Sequence, residues 1–153
     1  MNLLIDTNIL LDVLQKREPH FRYSSLIWKL CETGKARGFV SALSIANILY
    51  VLKKRIPQDK VSFMLSKLSL IFHIVPLTYV ELHAAAQMNW KDYEDAVQLV
   101  TAENNNASYL ITRNKKDYTE TVKVRVMTPE EFIWILRSSE IGRYLHDNPV
   151  TAK

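Results

Sequence analysis

Residues 1–14 read MNLLIDTNILLDVL, and the fold follows from how this stretch is read. The apolar run Leu3 to Ile5 stops at Asp6, and the polar trio Asp6, Thr7 and Asn8 leads into Ile9, Leu10, Leu11, Val13 and Leu14. A short apolar run followed by helical spacing predicts a buried strand, a polar tip and an amphipathic helix. In open α/β folds the carboxyl ends of parallel strands line the crevice where ligands sit, which puts Asp6 at a functional position. Asp and Asn are also the commonest helix caps. The stretch alone leaves both readings open.

Working outward, the same alternation recurs. Apolar spacing predicts a helix from Phe21 through Cys31, stopped by Gly34, and a short strand over 38–41. Ser44 reads as the cap of a helix carrying Ile45, Ile48, Leu49 and Leu52 and closed by Lys53, Lys54 and Arg55, after which Pro57 opens another. A third strand is predicted over 72–75, then a helix capped by Thr78. The acidic cluster Asp92-Tyr93-Glu94-Asp95 opens a further helix, and strands are expected over 108–112 and 122–127. Thr128-Pro129-Glu130-Glu131 has the cap, the N1 proline and the N3 acid of a strong helix start. Strands separated by helical segments need parallel pairing with crossover helices. The expectation is an α/β three-layer sandwich, a central parallel sheet of four to five strands flanked by helices. One domain is expected over 1–137, and 138–153 reads as a C-terminal tail open to disorder.

Composition narrows the function. At 153 residues the chain has the size of a single domain that buries its own core. Its one cysteine, Cys31, excludes an intrachain disulfide and sits in an apolar stretch, so a core position and a cytoplasmic location are expected. No run approaches the ~18 apolar residues of a membrane span. Asp6 and Asp12 interrupt the first apolar segment, which does not suit a signal peptide. Twenty basic against 16 acidic residues leave +4, a balance that permits phosphate binding without demanding it. The three glycines, Gly34, Gly38 and Gly142, belong to no phosphate loop, which argues against a Rossmann or P-loop nucleotide site.

Three polar clusters fall where strands end or helices begin: Asp6 with Asn8, the group Asp92, Glu94 and Asp95, and Asn114 with Asp117. Carboxylates gathered in one crevice repel by up to about 4 kcal/mol per close pair at moderate dielectric. A divalent cation offsets this, and oxygen donors from Asp and Asn suit Mg²⁺ or Mn²⁺. Zinc is disfavoured, because His20, His73, His83 and His146 are scattered and Cys31 has no partner. Each acidic cluster, taken singly, also reads as ordinary capping and first-turn charge.

The opening LLIDTNILLDVL, the middle DYEDAVQ and the later YLITRNKKDY together resemble the PIN-domain nucleases, in order and separation, over nearly the whole chain to about Arg137. The resemblance implies a parallel sheet with flanking helices and RNA cleavage at a carboxylate site holding Mg²⁺ or Mn²⁺. Many such proteins are toxin halves of bacterial toxin–antitoxin pairs and are dimers, so RNA, an antitoxin protein and a second copy of the chain are the implied partners. Carried over position by position, Asp6 and Asp95 match the metal-binding acids, with Thr7, Asn8, Asp92 and Thr112 in support. Asn47 stands where the family usually has a glutamate, and Asn114 where many members have an aspartate; neither brings charge, and Asp117 is the nearest stand-in. The implied chemistry is metal-assisted hydrolysis in which the carboxylates place the ion rather than attack. Lys53, Lys54, Arg55, Arg113, Lys115 and Lys116 are candidate contacts to the RNA backbone, each equally readable as solvated surface. Tyr93 and Tyr118 are candidates for stacking on unpaired bases, with burial as the plainer reading. A haloacid-dehalogenase-type phosphatase also opens on a strand ending in Asp, but it needs an acid where Asn8 stands. The competing function is a PIN-fold module that binds RNA or a protein without cutting, its site left short of charge by Asn47 and Asn114. The helical pair over 44–71 reads either as a partner groove or as part of the core.

Overall fold

The computed structural model describes residues 1–118 and 123–148. Its first strand, β1 (Asn2–Ile5), is wholly apolar after Asn2 and is the centre of a five-stranded sheet. β1 runs parallel to β2 (Arg37–Ser41) on one side and to β4 (Tyr109–Ile111) on the other. The edges are β3 (His73–Val75), parallel to β2, and β5 (Arg125–Met127), parallel to β4, which gives the order β3-β2-β1-β4-β5. The chain lays down β1, β2 and β3 in one direction and then returns to place β4 against β1. That reversal opens the crevice of such sheets beyond the carboxyl ends of the two central strands.

Side chains alternate across the sheet as the strand period of two requires. Leu3, Ile5, Val40 and Ile111 face a core shared with α1 (Thr7–Leu14), α2 (Phe21–Glu32), α3 (Ala42–Leu52) and α7 (Pro129–Leu136). Leu4, Phe39 and Leu110 face the opposite layer, where Leu99 and Ala102 of α6 (Tyr93–Asn104) cover them. α5 (Tyr79–Gln87) completes that layer against α6, with Ala85, Ala96, Val97 and Val100 between them. The three-layer α/β architecture expected from the sequence is the one observed. Cys31 is buried beneath Gly38, and that burial pushes its thiol up to about 12. No helix among the described residues is long and apolar enough to cross a membrane.

Local boundaries differ where two residues compete for one role. Ser41, not Ser44, caps α3: its hydroxyl accepts from the Ser44 N–H at 3.1 Å, so the Ser44 side chain is freed to turn inward. α3 ends at Leu52, which leaves Lys53, Lys54 and Arg55 in the turn beyond it. Pro57 opens a 3-10 turn, Gln58–Lys60, and α4 (Val61–Ile71) begins only afterwards. The caps expected at Thr78 and Thr128 are both full capping boxes, closed by Glu81 and Glu131. Within 138–153 the described residues include α8 (Glu140–Asp147), capped by Ser139 and anchored in the core by Leu145. Its apolar signal rests on Ile141, Tyr144 and Leu145 in an otherwise polar segment, too little for periodicity to reveal. Val122, and Pro149 and the residues after it, lie outside the described residues.

Candidate active site: an acidic cleft at the carboxyl edge of the sheet

Asp6 follows β1, and its N–H continues the ladder by donating to Ile111 O at 3.0 Å. It occupies the cap position of α1 with extended backbone, yet its side chain makes no capping bond. The carboxylate instead accepts from Thr112, the residue after β4, whose Oγ1 donates to Asp6 Oδ2 at 2.9 Å. Asp6 and Thr112 are both buried, and burial holds the Asp6 carboxyl above the usual range against the lowering effect of the Thr112 bond.

Asp92 does act as a cap, accepting from the N–H groups of Glu94 and Asp95 at 3.0 and 3.2 Å. One turn of α6 then brings Asp95 inward to 8% exposure. Its Oδ1 accepts from the Tyr118 hydroxyl at 2.9 Å, and its Oδ2 is buried without a hydrogen-bond partner among the described residues. Burial is the main reason that Asp95 is raised to about 6. The Tyr118 bond works against the rise, and the charges of Asp92, Asp6 and Asp117 add to it.

These groups open on a cleft of about 330 Å³. Asp6, Thr7 and Asn8 enter it from the start of α1, Asn47 and Tyr50 from α3, Asp92, Glu94 and Asp95 from the start of α6, and Asn114 from the loop after β4. Asn47 Nδ2 donates to Glu94 Oε1 at 2.9 Å across the cleft. Asp117, exposed at the end of the 3-10 turn Lys115–Asp117, is not in the lining, although its charge is felt by Asp95. Among the described residues no three His, Cys, Asp or Glu side chains converge closely enough to enclose an ion by themselves. The cleft does offer several oxygens from Asp, Glu and Asn and one buried carboxylate oxygen with no partner, a donor set suited to a hard cation that keeps part of its water. A larger groove of about 760 Å³ between α2, α7 and α8 has no carboxylate in its lining.

Beneath the cleft, Ser44 Oγ is the node of a buried network. Thr7 Oγ1 approaches it at 2.8 Å, Gln98 Nε2 at 2.7 Å and Ser41 Oγ at 3.1 Å. A hydroxyl accepts two bonds and gives one. Ser44 therefore accepts from the Gln98 amide and from one of the two hydroxyls and donates to the other, which joins the elements that carry Asp6, Asn47 and Asp95.

The basic residues separate. Lys53, Lys54 and Arg55 are exposed beside the cleft wall, with Lys53 Nζ 5.7 Å from the ring of Tyr50. Lys115 is paired with Glu131 at 2.9 Å, which lowers the Glu131 carboxyl, and Lys116 is exposed. Arg113 turns away from the cleft, its Nη1 3.5 Å from Oδ1 of the fully buried Asp12, whose Oδ2 accepts from Ser24 at 3.0 Å. Tyr93 is half-exposed with its hydroxyl on Leu82 O, whereas Tyr118 is buried edge-on to Trp90 and has no face open to a base. Sequence places Glu94 in an acidic cluster, Tyr118 as a candidate for base stacking and Ser44 as a helix cap, but gives none of them the site contact it makes; Gln98 is not singled out, and nothing apart from its contact marks it.

Comparison with known proteins agrees with this architecture. The PIN domain family matches residues 2–116. Ribonuclease VapC1 of Aquifex aeolicus (strain VF5) is 26% identical over 133 residues, covering 84% of this chain and 90% of that protein. Among solved structures, a toxin-antitoxin complex from Klebsiella pneumoniae is 25% identical with a TM-score of 0.63, covering 83% of this chain and 97% of that one. FitAcB from Neisseria gonorrhoeae, at 19% identity and a TM-score of 0.62 over 84% of this chain and 98% of that one, shares the fold. With three quarters of its length matched by the family and the strand-end acids in one cleft, the chain belongs to the PIN domain family.

Proposed function

We propose that the chain is a divalent-cation-dependent endoribonuclease that hydrolyses RNA phosphodiester bonds and acts as the toxin half of a toxin–antitoxin pair. The observation that carries this reading is the cleft itself: Asp6, Glu94 and Asp95 line one cleft at the carboxyl edge of the sheet, and Asp95 Oδ2 is buried without a partner among the described residues. An unpartnered buried carboxylate oxygen is costly unless a ligand takes it up. The relatives named as a ribonuclease and as part of a toxin-antitoxin complex support the same class.

Asp6 and Asp95 would hold Mg²⁺ or Mn²⁺, with Asn8, Asn114 and water completing the oxygen shell. Asn47 brings no charge where the family has a glutamate, but it presents Glu94, which restores one negative charge to that wall. A cation held there would supply Lewis-acid stabilisation of charge on the phosphate and would lower the pKa of a bound water. Thr112 fixes the Asp6 carboxylate, and the Asn114 amide, which lines the cleft, would donate to a phosphate oxygen. Asp117 contributes to the negative field at Asp95 from outside the lining. Lys53, Lys54, Arg55 and Lys116 would contact the RNA backbone, making binding fall with salt. The partners that follow are RNA, an antitoxin protein and a second copy of the chain, with action in the cytoplasm.

A second reading has its own observation. Asn47 and Asn114 both line the cleft uncharged, and no three acids close on one point among the described residues. On that reading the fold binds RNA or a protein without cutting. Incubating the purified chain with a mixed RNA pool in Mg²⁺, Mn²⁺ or EDTA, beside Asp95→Asn, separates the two. Cleavage that needs the cation and disappears in the variant is expected; equal behaviour of the two proteins would hand the case to the binding module.

A further inference from the structure

The segment after β4 brackets both central carboxylates. At its start Thr112 Oγ1 donates to Asp6 Oδ2 at 2.9 Å and accepts from the Asn114 N–H at 3.0 Å. Six residues later Tyr118 OH donates to Asp95 Oδ1 at 2.9 Å. Between them the 3-10 turn Lys115–Asp117 is closed by Asp117 N–H on Asn114 O at 3.0 Å and Tyr118 N–H on Lys115 O at 3.1 Å, so the spacing of the two hydroxyls is fixed by backbone. Tyr118 is 8% exposed, in the layer that holds Leu99 and Leu110, and its ring stands perpendicular to Trp90 with centroids 5.7 Å apart.

We infer that Tyr118 is a positioning residue for Asp95: its buried hydroxyl fixes the rotation of the carboxylate by holding Oδ1, and leaves Oδ2 as the oxygen offered to a cation. Terminal torsions of carboxylates are broad and two-fold, so an untethered Asp95 would present either oxygen over a wide arc. A phenol cannot leave this position without unpacking its ring, which makes the tether stiff. Losing a hydrogen bond of this kind to a metal-binding carboxylate typically costs about 10–100-fold in metal affinity. The ring alone would serve the core; the hydroxyl has no other hydrogen-bond partner among the described residues and is spent on Asp95. Asn114 thereby gains a second constraint, since the segment that carries it is fastened at both ends to the acids it faces.

The inference rests on the cation reading of the cleft, and one experiment separates their failures. Free Mn²⁺ is titrated by electron paramagnetic resonance against wild type, Tyr118→Phe and Thr112→Val, with melting temperature and RNA affinity in EDTA measured on the same samples. Tyr118→Phe keeps the ring, so its melting temperature should stay within a few degrees of wild type and its RNA affinity in EDTA should be unchanged. Its Mn²⁺ dissociation constant should rise roughly tenfold or more, the effect usual for such outer contacts. Wild-type binding of Mn²⁺ with Tyr118→Phe binding equally well would overturn the inference and leave the cation reading standing. No binding by wild type would overturn both. If Tyr118→Phe loses Mn²⁺, RNA and thermal stability together, the hydroxyl serves the fold rather than the cation site and the inference is likewise overturned.

Discussion

Replacing Asp95 by Asn should make the cation-free protein more stable, and the gain should depend on pH. Asp95 is raised from 3.8 to about 6, chiefly by burial. A carboxyl whose folded value lies above its unfolded value binds its proton more tightly in the folded chain, so stability rises as pH falls from above 6 to below 4. At pH 8 the ionised group therefore costs the fold up to about 3 kcal/mol, two pKa units at about 1.4 kcal/mol each. Asparagine keeps an oxygen for the Tyr118 hydroxyl and puts an amide where Oδ2 had no partner, facing the negative charge of Asp6 and Asp92. Urea unfolding in EDTA should place Asp95→Asn about 1–3 kcal/mol above wild type at pH 8, equivalent to several degrees of melting temperature for a domain of this size. At pH 4 the two should converge. The same substitution should abolish cleavage, so stability and activity would move in opposite directions, as they do where a site holds a destabilising charge for use. A variant less stable than wild type at pH 8, or a gap that ignores pH, would refute the reasoning.

Three further perturbations test other parts of the structure. Ser44→Ala strips the hydrogen-bond partner from two buried groups, Thr7 and Gln98, and should cost about 2–4 kcal/mol in urea unfolding at any pH; a loss below about 1 kcal/mol would mean the network relaxes freely. Arg113→Ala leaves the fully buried Asp12 with Ser24 alone, whereas in Asp12→Asn the 28%-exposed Arg113 can turn to water. The arginine variant should therefore be the less stable by about 1–2 kcal/mol, in line with the penalty for a buried unpaired charge, and the reverse order in calorimetry would contradict the pairing. Glu94→Gln retains an oxygen for Asn47 but removes a charge from the cleft wall, and should weaken Mn²⁺ binding roughly tenfold, the scale of a unit charge about 6 Å from a divalent cation at the water-like dielectric of an exposed side chain; unchanged affinity would take Glu94 out of the ion's surroundings.

The architecture was legible because the signals agree with one another. Leu3 to Ile5 reads as strand, Ile9 to Leu14 as helix, and the repeated alternation fixes parallel pairing before any contact is known. The capping boxes at Thr78 and Thr128 were legible for the same reason, since cap and N3 acid lie within one turn. Ser41 and Ser44 were not, because two serines three residues apart are equally good caps and only the packing of Thr7 and Gln98 decides which one turns inward. α8 was hidden for want of apolar residues, although Leu145 suffices to anchor it.

The acids pose a subtler problem. Asp6 and Asp92 both stand at cap positions, and from sequence each reads equally as cap or as site. The structure distinguishes them by where the donors are. Asp92 accepts two N–H groups from its own helix, so its charge is already engaged by the first turn of α6. Asp6 makes no capping bond, and its strongest hydrogen bond comes from Thr112, 106 residues away just beyond the neighbouring strand. A carboxylate that makes no capping bond, and is buried and held most strongly by a hydroxyl from another element, serves more than its own helix. Asp95 follows the same logic, with Tyr118 as its donor. Long-range hydroxyl tethers of this kind leave no periodicity and no spacing rule in a single sequence, because donor and acceptor meet only once β4 has been placed against β1. The two acids that sequence resemblance singles out are thus the two whose hydrogen bonds the sequence could not have shown.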